Sequence, residues 1–293
     1  MLSRFSPPFR AAIFMIGAMI SFTLMAICGR ALEGRLDTFE IMAYRSILGI
    51  AVVLVIAKYA NTLSQISLRS MRLHILRNLF HFTGQNLWFY AILYIPLSQL
   101  FAFEFSTPLW VAVIAPFILQ ERLTGTRLLA AALGFIGILI VARPDFSSVN
   151  IAVIAAACCA FGFAGATICT KLLTRTETTT SILFWLTVLQ AIFGLICAGM
   201  DGEMTLPVGD ELIYVTIIGL CGLMAHFCIT SALHAAPATV VMPLEFLRLP
   251  LVTVVGFLLY NEQLEWAVFA GAGIVLFANI LNLRAEARAV KAG

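Results

Sequence analysis

Ten stretches of about 20 apolar residues, parted by short polar joints, dominate this chain and leave it few ways to fold. They run roughly over 11–30, 38–58, 74–95, 97–119, 125–142, 149–171, 179–199, 209–233, 238–260 and 264–283. Each is long enough for a helix to cross the hydrocarbon of a bilayer, and too long for a barrel strand of about 10 alternating residues. Water cannot hold such a chain. Hydrophobic residues make up 61% of it and charged ones 11%, against about 45–50% and 25% in soluble domains. The joints are short, and the longest spans about residues 59–73, so no soluble domain fits between the runs. The expected fold is all-α and integral to a membrane, with ten transmembrane helices.

Charge sets the expected orientation. With the N-terminus in the cytoplasm, thirteen Lys and Arg fall in inside segments and three (Arg30, Arg35 and Arg143) in outside ones. Both termini are therefore expected inside, and Arg77 is counted among the inside loop charges. The run from Ala11 to Cys28 follows Arg4 and Arg10 as a signal peptide would. It is too long and lacks a persuasive cleavage site, so it reads as the first span. The basic residues form no single face, which excludes a nucleic-acid partner. The seven cysteines lie in apolar runs without metal-ligand spacing, so neither disulfide nor metal is expected, and no cofactor.

The chain also repeats itself. Shifting it by 141 residues lays Pro96 on Pro237, Glu104-Phe105 on Glu245-Phe246, and Glu121 on Glu262. Over residues 96–123 the shift gives seven identities in 28 positions, and a Pro and two Glu agreeing at one offset is hard to ascribe to chance where charges are rare. Two units follow, 1–143 and 144–293, the second ending in a short cytoplasmic tail. Each holds five spans. Five is odd, so the second unit enters the lipid from the opposite side, as inverted repeats of secondary transporters do.

At the ends of the fourth and ninth runs the sequence reads Thr107-Pro108-Leu109 through Glu121-Arg122-Leu123, and Leu244-Glu245-Phe246-Leu247-Arg248-Leu249-Pro250 through Glu262-Gln263-Leu264. In these motifs and in its two five-helix repeats the chain resembles the EamA-type group of the drug/metabolite transporter superfamily. His74-Ile75-Leu76-Arg77 and Trp88-Phe89-Tyr90-Ala91 are similar to a bacterial subgroup that includes S-adenosylmethionine uptake carriers. The resemblance implies a carrier of small metabolites, such as amino acids or S-adenosylmethionine, in the bacterial inner membrane. Its expected partners are that substrate and the lipid bilayer, with room for a homodimer.

Ionisable groups at membrane depth are costly and usually face a cavity. Glu40, Arg45, Glu104, Glu245 and Arg248 are the candidates. Arg45 and Glu104 each lie ~10 Å below the outer face by helical rise, which predicts an ion pair between them. Arg248 lies near the midplane. There it either grips a substrate carboxylate with its planar fork or neutralises Glu245. Glu104 and Glu245 are candidates for proton coupling. In the third run His81, Gln85 and Trp88 form one stripe, and His226 overlays Gln85 under the 141 shift. Tyr44 and Trp185 complete the expected substrate-binding set. Glu121 and Glu262 read as caps for the helices that follow them, or as gate latches. Pro108, Pro116, Pro243 and Pro250 mark the fourth and ninth helices as gating elements. Glycines in the fifth, sixth and tenth runs signal close packing. No catalytic triad, H-E-x-x-H or P-loop is present, so an enzyme or an ATP-driven pump is not expected. A receptor or scaffold that moves nothing is the remaining alternative.

Overall fold

Apolar runs become helices because a bilayer offers the backbone no other hydrogen-bond partners. The computed structural model describes residues 7–32, 34–95, 97–121, 124–142, 150–200, 204–260 and 266–292. Its helices are α1 (Pro7–Ala31), α2 (Thr38–Tyr59), α3 (Met71–Tyr94), α4 (Leu97–Glu104), α5 (Thr107–Ile118) and α6 (Gly125–Ala142). The second half gives α7 (Ile151–Leu173), α8 (Thr179–Ala198), α9 (Asp210–Ala235), α10 (Ala238–Val241), α11 (Arg248–Tyr260) and α12 (Trp266–Ala292). A 3-10 segment, Met242–Leu247, joins α10 to α11. No strand occurs among the described residues.

Local chemistry fixes the helix starts. Asp37 caps α2, accepting from the Phe39 and Glu40 amides at 2.6 and 2.8 Å, while its own amide donates to Glu40 Oε2 at 2.9 Å. Asn150 caps α7 and Thr178 caps α8 in the same manner.

The fourth and ninth runs are each broken, and proline accounts for both breaks. Pro108 has no amide to give the Glu104 carbonyl four residues back, so α4 ends there. The Thr107 hydroxyl takes that carbonyl instead, at 2.6 Å. Pro243 likewise leaves the Thr239 carbonyl without its helical donor, and the chain tightens into the 3-10 segment.

The outside of the bundle is apolar and the inside carries the polarity. Ile16, Ile20, Val55, Ile56, Phe117 and Ile196 are exposed, whereas Arg45, Arg77, Asn78, His81, Gln85, Gln190 and Arg248 are buried. This inversion of the water-soluble pattern requires a lipid solvent. Among the described residues five helices, α1, α2, α7, α8 and α9, are long and apolar enough to cross a membrane on length and composition. The fourth and ninth runs fall short because they are broken, and α3 because its inner face is polar.

The most extensive helix pairings are α3 with α7, α1 with α9, α6 with α12 and α2 with α8. Missing side chains permit the first of these. A Cβ on Gly162 of α7 would lie 2.8 Å from Gly84 Cα and from the Phe80 carbonyl of α3. Likewise, a Cβ on Gly137 of α6 would lie 2.9 Å from the Gly271 carbonyl of α12.

Candidate functional site

Helical spacing aims one face of α3 inward. Arg77, His81, Gln85 and Trp88 recur at steps of four, four and three, so they share a stripe. All four are at most 3% exposed, yet they line a cavity of about 60 Å3, room for roughly four waters. Opposite stand Phe22 and Met25 of α1, Thr167 and Thr170 of α7, and His226 and Ile229 of α9. The two broken runs close the cavity with Glu104 and Thr107 on one side and Met242, Glu245 and Arg248 on the other.

Charge is concentrated at the breaks. Glu104 is the last residue of α4 and Arg248 the first of α11, and they form a buried ion pair through Glu104 Oε1 and Arg248 Nη2. Trp88 Nε1 donates to the other carboxylate oxygen at 2.6 Å. The Arg248 guanidinium carbon also sits 4.9 Å from the Phe105 ring centre, 5.2 Å from that of Phe101 and 5.4 Å from that of Phe22. This cage holds the cation by cation–π attraction as well as by charge. The expected pair of Arg45 with Glu104 does not form. The two side chains are held in different places, Glu104 by Arg248 and Trp88. Arg45 points into a neighbouring pocket lined by Ser46, Gly49, Gln190, Gly222 and His226. There its Nη1 meets the Met25 sulfur at 3.7 Å. Nor does Glu245 serve as the hydrogen-bonded partner of Arg248, since Glu104 takes that place.

Arg77 is the residue that sequence reading misplaced. Counted there as a loop charge, it is 3% exposed and held by Thr170 Oγ1 at 3.2 Å, Asn78 Oδ1 at 3.1 Å and His226 Nδ1 at 3.4 Å. The signal was available, since Arg77 begins the His81–Gln85–Trp88 stripe one turn earlier. A guanidinium only donates, so His226 Nδ1 accepts and its neutral ring carries the proton on Nε2. That Nε2 is buried without a partner, as are His81 Nε2, Gln85 Nε2 and Arg248 Nε. His81 and His226 pack edge to face, ring centres 4.5 Å apart.

Three expected site residues lie elsewhere. Glu40 is spent on the α2 capping box and on the Thr205 amide. The Tyr44 hydroxyl donates to the Thr205 carbonyl at 2.7 Å. Trp185 Nε1 donates to the Ser67 carbonyl at 2.8 Å, pinning a loop to α8. In each case a nearby backbone group satisfies the polar atom and takes it away from the cavity.

Glu121 caps a helix, but not the one that follows it. Its carboxylate accepts from the Ala238 and Thr239 amides at 2.9 and 3.1 Å and from the Thr239 hydroxyl at 2.8 Å, at the start of α10. Around it Lys171 Nζ donates to the Leu233 and Ala236 carbonyls, and Arg175 to the Leu119 carbonyl. The Glu121 and Arg175 bonds cross between the halves and tie this end together. Glu262 lies outside the described residues.

The EamA-like transporter family model matches this chain twice, over residues 9–143 and 150–284. The chain belongs to the EamA-like transporter family. This EamA-like protein is thus a multi-pass membrane protein of a transporter family within the drug/metabolite superfamily. It is 25% identical to the S-adenosylmethionine uptake transporter of Rickettsia felis over 275 residues, 93% of this chain and 92% of that one. Against the riboflavin transporter of Brucella anthropi it is 29% identical over 218 residues, 73% of this chain and 77% of that one. The riboflavin transporter of Vibrio cholerae is 24% identical and covered, like this chain, to 92%. One solved crystal structure shares the fold, with a TM-score of 0.76 at 17% identity, over 92% of this chain and 95% of that chain.

Proposed function

We propose that this EamA-like protein is a secondary carrier that moves a small organic metabolite across the bacterial inner membrane by alternating access. The observation that carries this reading is the polar cavity inside an apolar shell, lined from both halves of the chain and holding a buried ion pair between two broken helices. Polar groups at membrane depth are retained where a substrate or ion must pass. Discontinuous helices with their ends at a central site are the usual means by which secondary transporters hold that substrate.

The architecture we propose is ten crossings in two inverted repeats, residues 1–143 and 144–293. Two observations support it. The family model matches the chain once in each repeat. The helix pairings also exchange under the 141-residue shift: α1 with α9 becomes α7 with α3, while α2 with α8 and α6 with α12 map onto themselves. A half-turn axis in the membrane plane produces that pattern. With both termini in the cytoplasm, the end closed by Glu121 is the cytoplasmic one, and its release opens the cavity inward. Among the named candidates, S-adenosylmethionine and riboflavin are the first to test, as the substrates named for relatives.

Counterflow in proteoliposomes decides the matter. A carrier preloaded with unlabelled substrate accumulates external label with no energy source. A receptor, scaffold or enzyme does not exchange, and absence of counterflow with every metabolite that binds defeats the proposal.

A further inference from the structure

Resting on the carrier reading, a second question is what chemistry the cargo must have. The cavity's acids and bases do not balance locally. Arg248 is neutralised by Glu104 through its Nη2. Arg77 has no carboxylate. Its three hydrogen bonds among the described residues go to a hydroxyl, an amide and an imidazole, all neutral, and leave two of its five N–H groups free. Neither acid lining the cavity bonds to it, since Glu104 is taken by Arg248 and Trp88, and no hydrogen bond links Glu245 to Arg77.

Arg45 repeats the situation. It is 6% exposed, and the one hydrogen bond its guanidinium makes among the described residues is to the Met25 sulfur. His226 lines both the pocket of Arg45 and the cavity of Arg77, so the two guanidiniums flank one imidazole. The His226 Nε2 is itself an unpartnered buried atom. Gly222 lies beside Arg45, where a Cβ would stand in ordinary contact, 3.4 Å from Arg45 Nη1. The result is a buried cluster of donors with two positive charges and, among the described residues, no bonded counter-ion. Two bare cations at that depth are a large cost unless something negative arrives to share the site. Asn78 meanwhile fixes Arg77 in place, its own amide tied to the His74 and Trp185 carbonyls and its oxygen shared with Gln190 Nε2. A donor set held rigid, desolvated and unpaired is built to receive an acceptor.

We propose that Arg77, with His226 and Arg45 behind it, is the seat for an oxyanion of the transported molecule, a carboxylate or a phosphate. The cargo enters by this charged end and places its uncharged or cationic body toward Glu245 and the aromatic wall of Phe22 and Trp88. A neutral metabolite, which leaves both arginines bare, is rejected.

The test uses the full-length protein purified in detergent, with thermal stability followed at fixed ionic strength. The probes are matched pairs: S-adenosylmethionine against its decarboxylated form, and riboflavin 5′-phosphate against riboflavin. Acetate and inorganic phosphate against chloride serve as bare anions. The expected result is stabilisation by the oxyanion-bearing member of a pair or by the bare anions. The neutral or decarboxylated member should bind about 30-fold more weakly or worse, the usual loss when a buried charge is left unpaired. Arg77→Gln should erase the difference, Arg77→Lys restore part of it, and Arg72→Gln, on the exposed side of α3, leave it intact. Equal stabilisation by both members overturns the proposal. So does a response that survives in Arg77→Gln and Arg45→Gln, and so does indifference to every anion tried. Counterflow keeps the two readings apart. Anion binding without exchange removes the carrier and keeps the seat, whereas exchange untouched by Arg77→Gln removes the seat and keeps the carrier.

Discussion

The ion pair between Glu104 and Arg248 joins helices 144 residues apart, and a double-mutant cycle measures what it holds. Glu104→Gln keeps an acceptor for Trp88 Nε1 and nearly the same volume, but removes the charge. Arg248, only 3% exposed, is then a buried cation without its carboxylate. Breaking a buried pair in this way costs about 3–5 kcal/mol. A loss of 1 kcal/mol lowers the melting temperature of a large domain by about 2–4 °C, so the variant should melt about 6–20 °C lower. Arg248→Met alone strands the carboxylate, which keeps only the Trp88 donor, and should cost a similar amount. The double variant removes both charges and fills the aromatic cage of Phe22, Phe101 and Phe105 with an apolar side chain. Replacing a buried pair by apolar groups is often close to neutral, so the double variant should recover most of the loss. The assay is thermal unfolding of the purified protein read by tryptophan fluorescence, since Trp88 touches the pair. Simple addition of the two single losses refutes the reasoning, because it means the charges do not sense each other.

Glu121→Ala removes three hydrogen bonds from the start of α10 and should weaken the closed end by about 1–2 kcal/mol, a typical cap loss. The check is labelling of Ile229→Cys from the cytoplasmic side in a background without other reactive thiols, and it should speed up by about 5- to 30-fold. Gly162→Ala puts a Cβ 2.8 Å from backbone atoms of α3 and should cost about 1–3 kcal/mol, visible as a lower melting temperature. Gly273→Ala, with nothing within 4 Å, should leave the melting temperature unchanged. Trp185→Phe should lower stability by about 1 kcal/mol through loss of the Ser67 bond, while cargo affinity in the same protein stays the same.

Helix positions were legible because lipid imposes one strong rule, a run of apolar residues about as long as the hydrocarbon is thick. The prolines of the fourth and ninth runs read as gating elements within continuous helices, whereas Pro108 and Pro243 each remove a specific amide and break the runs. The site was half legible. The α3 stripe could be read from spacing, and His81, Gln85 and Trp88 all reach the cavity. Arg77 was lost because a charge near the end of an apolar run looks like a topology signal, and the helix proves to begin at Met71. Pairing could not be read from depth. Helical rise gives height along the membrane normal, but contact also needs the direction in which a side chain leaves its helix, and that depends on how the whole bundle packs. Tyr44 and Trp185 were drawn to backbone carbonyls by loop paths that no periodicity records.

The two breaks differ in charge. Under the 141-residue shift Glu104 corresponds to Glu245, and Arg248 to Thr107. Two acids therefore stand at equivalent places in the two proposed repeats, with a single arginine near both. In this structure it takes Glu104. Arg248 follows Glu245 by three residues along its own chain, directly after the 3-10 segment. An inverted repeat gives a carrier two similar end states, and a charge that breaks the symmetry makes them differ in energy. Glu245→Gln removes the alternative partner. If the arginine changes acids during the cycle, that variant should bind cargo normally and exchange it at least about tenfold more slowly, the effect of about 1.4 kcal/mol placed on one state. A variant that exchanges at the full rate in counterflow would show that Arg248 stays with Glu104 throughout, and that the breaks in the two helices serve only to bend them.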